Sequence, residues 1–312
     1  MIENGWGGRL GRHVHIPAGL VAAIRDVRAC GYDAVQVFPG NPKGWRHAPL
    51  APAVAATVRD EAARVDVAPI VIHAPYIINI AATDDELAAK SAHALFNALD
   101  RAAKIAARYV VVHAGSHKGV GEEAGIARIA RLVEGVLTSA PPDAEILIEN
   151  SAGAGNALAG SPEALGRLLA ALPPRVGSCV DTAHLWGAGC DVSSRAGVDD
   201  TLERLDRAVG LDRVRVIHLN DSAVALDSHR DVHARLGEGQ IGLEGLAAWM
   251  AHPALRRHLV ILETPLEHDL AREADRCAMT RLLLGGDVDA AAALLAGLQR
   301  GVDTGEAAQD LP

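Results

Sequence analysis

Eight short runs of apolar, largely β-branched residues recur along the chain, and longer stretches of helical periodicity separate them. The runs are H-V-H-I (13–16), A-V-Q-V-F (34–38), P-I-V-I-H (69–73), Y-V-V-V-H (109–113), E-I-L-I-E (145–149), V-G-S-C-V-D (176–181), V-R-V-I-H (214–218) and L-V-I-L-E (259–263). Strands this continuously apolar are buried on both faces, which suits a parallel sheet covered by helices. Apolar residues in 85–106 fall at helical spacing, and Ser161 and Pro162 read as the N-cap and first turn of another helix. Segments 198–205 and 243–250 read as two more. Eight strand–helix units predict a single (β/α)₈ TIM barrel over residues 10–300. An open doubly wound sheet shares this alternation, but H-V-H-I-P-A-G-L lacks the glycine-rich phosphate loop that such a sheet carries after its first strand. Residues 1–9 read as an N-terminal extension and the polar stretch 301–312 as a disordered tail.

The strand ends carry more chemistry than packing requires. His73, His113, Glu149, Asp181, His218 and Glu263 close six consecutive runs. In a (β/α)₈ barrel those ends meet at one face, where active sites are built. A single histidine there is usually a hydrogen-bonded structural group. An unpaired buried carboxylate such as Glu149 is costly, however, and six titratable strand ends in succession ask for a common cause. Two pairs join them. Asp181 and His184 are three residues apart, so a strand end and the turn after it can both face the mouth. Asp231 and His233 lie two apart in a long loop, 230–242, which puts them on the same side of an extended segment. Five histidines and four carboxylates form a ligand set for Zn²⁺, Mn²⁺ or Fe²⁺ rather than Ca²⁺. They exceed what one ion needs. With a bridging carboxylate they suit two or three, an arrangement that can clamp phosphoester oxygens.

The 312 residues can bury a large core, and 49% hydrophobic with 22% charged residues is ordinary for a folded soluble chain. A net charge of −9 argues against a plain basic nucleic-acid-binding surface, although cations held at the mouth would reverse the local sign. Cys30, Cys179, Cys190 and Cys277 show neither C-x-x-C spacing nor a disulfide framework. With no membrane-length apolar run and no signal-peptide pattern at the start, the expected location is cytoplasmic. Nothing implies an obligate protein partner.

Seven segments in order carry a resemblance: V-I-H-A-P-Y-I-I-N-I-A, H-A-G-S-H, I-E-N-S-A-G-A-G, D-T-A-H-L-W-G-A-G-C-D, H-L-N-D-S, D-V-H-A-R-L-G-E-G-Q-I-G and L-E-T-P. They resemble the motifs of the endonuclease IV family, zinc-dependent apurinic/apyrimidinic endonucleases of the xylose-isomerase-like barrel superfamily. The likeness runs from about residue 10 to the last helices and includes N-P-K-G-W (41–45). It implies a barrel with three zinc ions at the carboxyl ends of its strands, with Mn²⁺ or Fe²⁺ possible at some sites. His73, His113 and Glu149 would hold the first, and Asp181, His218 and Glu263, with Glu149 bridging, the second. His184, Asp231 and His233 would hold the third. The implied reaction hydrolyses the phosphodiester 5′ to an abasic site in DNA, in base-excision repair, with Glu149 and Glu263 as the catalytic carboxylates. Tyr76 matches a DNA-contacting tyrosine, and Lys43 a basic residue of the DNA-recognition loop. Around the ligands the pattern departs: Ala223 replaces a usual Lys, Val232 and His229 stand at or near usual Arg positions, Ala154 replaces Gln and Ala114 replaces Pro. Fewer cations near the mouth imply weaker phosphate contacts. The competing expectation is a sugar isomerase or epimerase of the same superfamily, with one metal on Glu149, Asp181, His218 and Glu263. It leaves His73, His113, His184, Asp231 and His233 without a role.

Overall fold

The structure, a computed structural model, describes residues 6–45 and 49–303. Seven strands come first: β1 (Leu10–His13), β2 (Ala34–Val37), β3 (Ile70–His73), β4 (Tyr109–His113), β5 (Glu145–Glu149), β6 (Gly177–Asp181) and β7 (Val214–His218). After a two-stranded antiparallel ladder, β8 (Asp221–Ser222) with β9 (His233–Ala234), the last barrel strand β10 (Leu259–Leu262) follows. Every neighbouring barrel pair is parallel, and β10 pairs with both β7 and β1, so the sheet is closed. The predicted (β/α)₈ barrel is the fold.

Helices α1 (Leu20–Ala29), α2 (Pro52–Val65), α3 (Asp85–Ile105), α4 (Glu122–Ser139) and α5 (Pro162–Ala170) each follow one strand. The Asp84 carboxylate accepts from Leu87 N to start α3, and Ser161 accepts from Ala164 N to start α5 with Pro162 in its first turn. Two helices follow β6, the short α6 (Thr182–Gly187) and α7 (Arg195–Ala208). After β9 comes α8 (Gly242–Met250), and after β10 come α9 (Leu270–Leu284) and α10 (Val288–Asp303). None of the described helices is long and apolar enough to cross a membrane.

Alternation along the strands divides the core in two. Outward residues such as Ile72, Val110, Ile146 and Val180 pack against helix residues including Leu95, Leu99 and Ile129. Inward residues Ala34, Val71, Tyr109, Val111, Leu147, Cys179, Val216, Leu259 and Ile261 fill the barrel as a separate cluster. Two positions beyond that filling, in the same inward column, stand Gln36, His73, His113, Glu149, Asp181, His218 and Glu263. Strand β1 contributes His13 in the same way, two positions beyond Gly11.

Two expectations need correction. The first strand is Leu10–His13 rather than 13–16, because L-G-R-H hides its strand character. A Cβ on Gly11 would lie 2.5 Å from Ile261 and 2.9 Å from Ala34, so the barrel interior excludes a side chain there. Arg12 is buried because Glu273 lies 2.9 Å from its Nε and Thr264 accepts from both terminal nitrogens. Within the N-terminal extension, Gly7 N donates to Arg256 O and Arg9 pairs with Asp66, which ties residues 6–9 to the barrel, while 1–5 fall outside the described residues. Finally, of the tail expected at 301–312, residues 301–303 belong to α10 and the rest falls outside the described residues.

Candidate metal centre

The expected ligands gather at the carboxyl ends of the strands, in three overlapping groups: His73, His113 and Glu149; Glu149, Asp181, His218 and Glu263; and Asp181, His184 and His233. Within each group one ligand atom per residue lies within 4.8 Å of the others. Glu149 belongs to two groups, and so does Asp181, which the motif assignment had placed in only one. Asp231 stands across the third group, with its two oxygens 3.0 Å from His184 Nε2 and 3.1 Å from His233 Nε2. It is half exposed, whereas Glu149, Asp181 and His218 are fully buried.

Hydrogen bonds turn a defined nitrogen of His73, His184 and His218 inward. A carbonyl oxygen only accepts, so His73 Nδ1 donates to Ala74 O at 2.7 Å and leaves Nε2 facing Glu149 Oε2 at 3.2 Å. His184 Nδ1 likewise donates to Asn150 O at 2.9 Å, leaving Nε2 for the centre. His218 is reversed: Nε2 donates to Gln36 Oε1 at 3.0 Å, and Nδ1 sits 3.0 Å from both Glu149 Oε1 and Glu263 Oε2. Outer partners of this kind fix the tautomer of a ligating histidine. Glu149 therefore presents Oε2 to His73 and Oε1 to His218.

Local folding explains the second half of the site. Asp181 caps α6, its Oδ1 accepting from His184 N at 2.9 Å, so one carboxylate ends β6 and sets the helix that carries His184. Asn220 Nδ2 holds Asp181 Oδ2 at 2.6 Å, and its Oδ1 accepts from Glu263 N at 2.9 Å. The loop expected over 230–242 is anchored by the β8–β9 ladder and by Asp221. That carboxylate accepts from the backbone N–H groups of Ser222, Gly237, Gly239, Ile241 and Gly242.

Electrostatics show carboxylates and imidazoles holding one another in their charged forms. Burial would raise the Glu149 carboxyl, but His113 and His218 hold it well below the usual range. Glu263 behaves alike, held down against burial by His218 and His13. Burial also opposes protonation of the imidazoles. For His184 the Asp181 and Asp231 carboxylates outweigh it and raise the group well above its ordinary value, and His233 is pushed up to about 9 by the same two. His113 stays low because burial dominates. His233 Nε2 is buried without a hydrogen bond although it lies 3.4 Å from Asp181 Oδ2 and 3.1 Å from Asp231 Oδ1. A buried ring nitrogen between two carboxylates without an aligned hydrogen bond is what a cation replacing its proton would satisfy, so the donor set fits metal ions.

The mouth opens into a cavity of about 640 Å³ that Asp231, His233 and Glu263 line on one side. Phe38, Tyr76, Lys43 and Leu266 line it elsewhere. Tyr76 is 56% exposed, its ring 5.0 Å from Phe38 and 5.5 Å from His73; Lys43 is exposed at the edge. Sequence reading brought together the cluster and these two rim residues but missed His13, Gln36, Asn150, Asn220 and Asp221. The parity of the strands was the available signal for the first two, since both stand two positions beyond an inward small residue.

Fold and site define a parallel (β/α)₈ barrel whose mouth is lined by a shared set of imidazoles and carboxylates. The family described as xylose isomerase-like TIM barrel matches residues 24–280. A probable endonuclease 4 of Chloroflexus aurantiacus is 38% identical over 281 residues, covering 89% of this chain and 99% of its own. Another from Halothermothrix orenii is 38% identical over 82% of this chain and 93% of its own. The crystal structure of endonuclease IV from Thermus thermophilus superposes with a TM-score of 0.79 at 36% identity, over 88% of this chain and 98% of that one. A D-psicose 3-epimerase shares the fold at a TM-score of 0.65 and 15% identity. The chain belongs to the endonuclease IV family.

Proposed function

We propose that this protein is an apurinic/apyrimidinic endonuclease that hydrolyses the phosphodiester 5′ to an abasic site in DNA, using three divalent cations, zinc foremost. The observation that carries the reading is the overlap of the three ligand groups through Glu149 and Asp181. A single-metal isomerase site accounts for the group of Glu149, Asp181, His218 and Glu263 and leaves the other two unexplained.

Divalent cations held there would supply positive charge to the phosphodiester oxygens and make water acidic enough to attack at neutral pH. The chain itself supplies position and proton handling. Glu149 reaches both flanking groups with separate oxygens. Glu263 Oε2 and Glu149 are the carboxylates placed to orient the attacking water and take its proton. Phe38, Tyr76 and Leu266 give the cavity an apolar wall against which a base-free deoxyribose would pack, and Lys43, which lines the same cavity, would offer its ammonium to a flanking phosphate. An abasic nucleotide has no stacking to lose, so drawing it into the cavity costs less than extruding an intact one.

Incision of an oligonucleotide duplex with one defined abasic site, with metal analysis on the same preparation, tests this. A cut 5′ to the site by protein holding about three ions per chain is expected. One ion per chain with ketose or aldose isomerisation and no incision would replace the reading with the isomerase.

A further inference from the structure

Gln36 sits mid-strand in β2, fully buried, with both ends of its carboxamide engaged at the centre. Its Oε1 accepts from His218 Nε2 at 3.0 Å, and its Nε2 donates to Glu263 Oε1 at 2.7 Å. The same Glu263 oxygen takes a second contact, 2.6 Å from His13 Nδ1. One oxygen of Glu263 is thus held from two sides by strands β1 and β2, and only Oε2 faces the centre, 3.0 Å from His218 Nδ1.

We infer that Gln36 is a positioning residue for the centre: one amide fixes which nitrogen of His218 and which oxygen of Glu263 are offered to a bound cation. The inference rests on the metal-dependent reading proposed above and deepens it. An amide suits both tasks at once, because it donates at one end and accepts at the other. A carboxylate could accept from His218 but would set oxygen against oxygen at Glu263. An apolar residue of the same volume would do neither, leaving His218 free to turn its other nitrogen inward and Glu263 free to present either oxygen. Partners one step out from a metal typically contribute about 10- to 100-fold to its affinity.

Two variants separate these tasks. Gln36→Met keeps the buried volume and removes both hydrogen bonds; Gln36→Glu keeps the His218 acceptor and removes the Glu263 donor. Zinc affinity and stoichiometry are measured by chelator competition, the His218 tautomer by ¹⁵N NMR, and kcat and KM on an abasic oligonucleotide, with wild type alongside. The expected result is affinity for one ion about 10- to 100-fold weaker in both variants. The His218 Nε2–H signature should be lost in Gln36→Met and retained in Gln36→Glu, and kcat should fall more than KM rises. If Gln36→Met does not fold, Gln36→Glu carries the test through its ion affinity and its kcat. Folded variants with wild-type zinc affinity and kcat would overturn the inference while leaving the function standing. A wild-type protein that takes up no divalent ion would overturn both.

Discussion

The two halves of the centre are built by different means. His73, His113 and Glu149 hang directly from β3, β4 and β5, so the closed sheet fixes their backbone. His184 hangs from the short α6, Asp231 from a loop and His233 from the two-residue β9 outside the barrel, and other side chains must hold these in place. Asp181 caps the helix, and Asp221 gathers the loop by five backbone N–H groups. The crowding is tight enough that a Cβ on Gly239 would lie 2.4 Å from the Asp221 carboxylate. A sheet positions ligands by virtue of its own hydrogen bonds, whereas a loop needs a dedicated clamp.

The largest effect should come from the residue that joins the halves. Glu149→Gln removes the charge shared by two ligand groups, and metal analysis should find two ions weakened together. Incision should fall by more than the ~100-fold that an outer partner can cost. Loss of a single ion would show that Glu149 does not bridge. Next, His184→Ala combined with Asp231→Ala should empty the loop-borne half alone. One ion and most incision activity disappear, on the order of 100-fold or more, while circular dichroism stays that of wild type. Undiminished cleavage of an abasic duplex by the double variant would deny that half any part in the reaction.

Asp221→Ala sharpens the contrast more gently. Releasing five N–H groups to water or to nothing should lower stability by about 1–3 kcal/mol and expose the 231–242 loop to limited proteolysis. Ions bound by His73 and His113 should be unaffected, and equal weakening at both halves would mean the loop is no separate unit. The smallest effect is a pH dependence of the metal-free protein. His233 is raised to about 9 from an ordinary 6.5, so its contribution is fully present below pH 6.5 and is lost as pH climbs through 9. His113, kept low by burial, adds no such loss. Thermal melts should therefore fall between pH 6.5 and 9 without zinc and hold steadier with it, and zinc uptake at pH 7 should release protons. A flat metal-free melting profile would contradict the charge assigned to the loop-borne half.

Much of the strand-borne half is readable in the sequence because each ligand ends an apolar run: I-V-I-H, V-V-V-H and I-L-I-E announce both the strand and its end. Asp231 and His233 are readable only through their spacing, since nothing local reports the clamp below them. Gln36 is illegible for a physical reason. Within A-V-Q-V-F it looks like a polar interruption, and its meaning lies in His218 and Glu263, 182 and 227 residues away. Strand β1 fails in the same way, because Gly11 and Arg12 are accommodated by Ile261, Thr264 and Glu273, which a local window never sees.

Closure of the ring by β1 and β10 has a temporal consequence. His13 and Glu263 meet across 250 positions of chain, so a polypeptide emerging from the ribosome carries most of the ligands long before it can arrange them. A chain that stops before the last barrel strand lacks Glu263 and leaves β1 and β7 without the neighbour that closes the sheet between them.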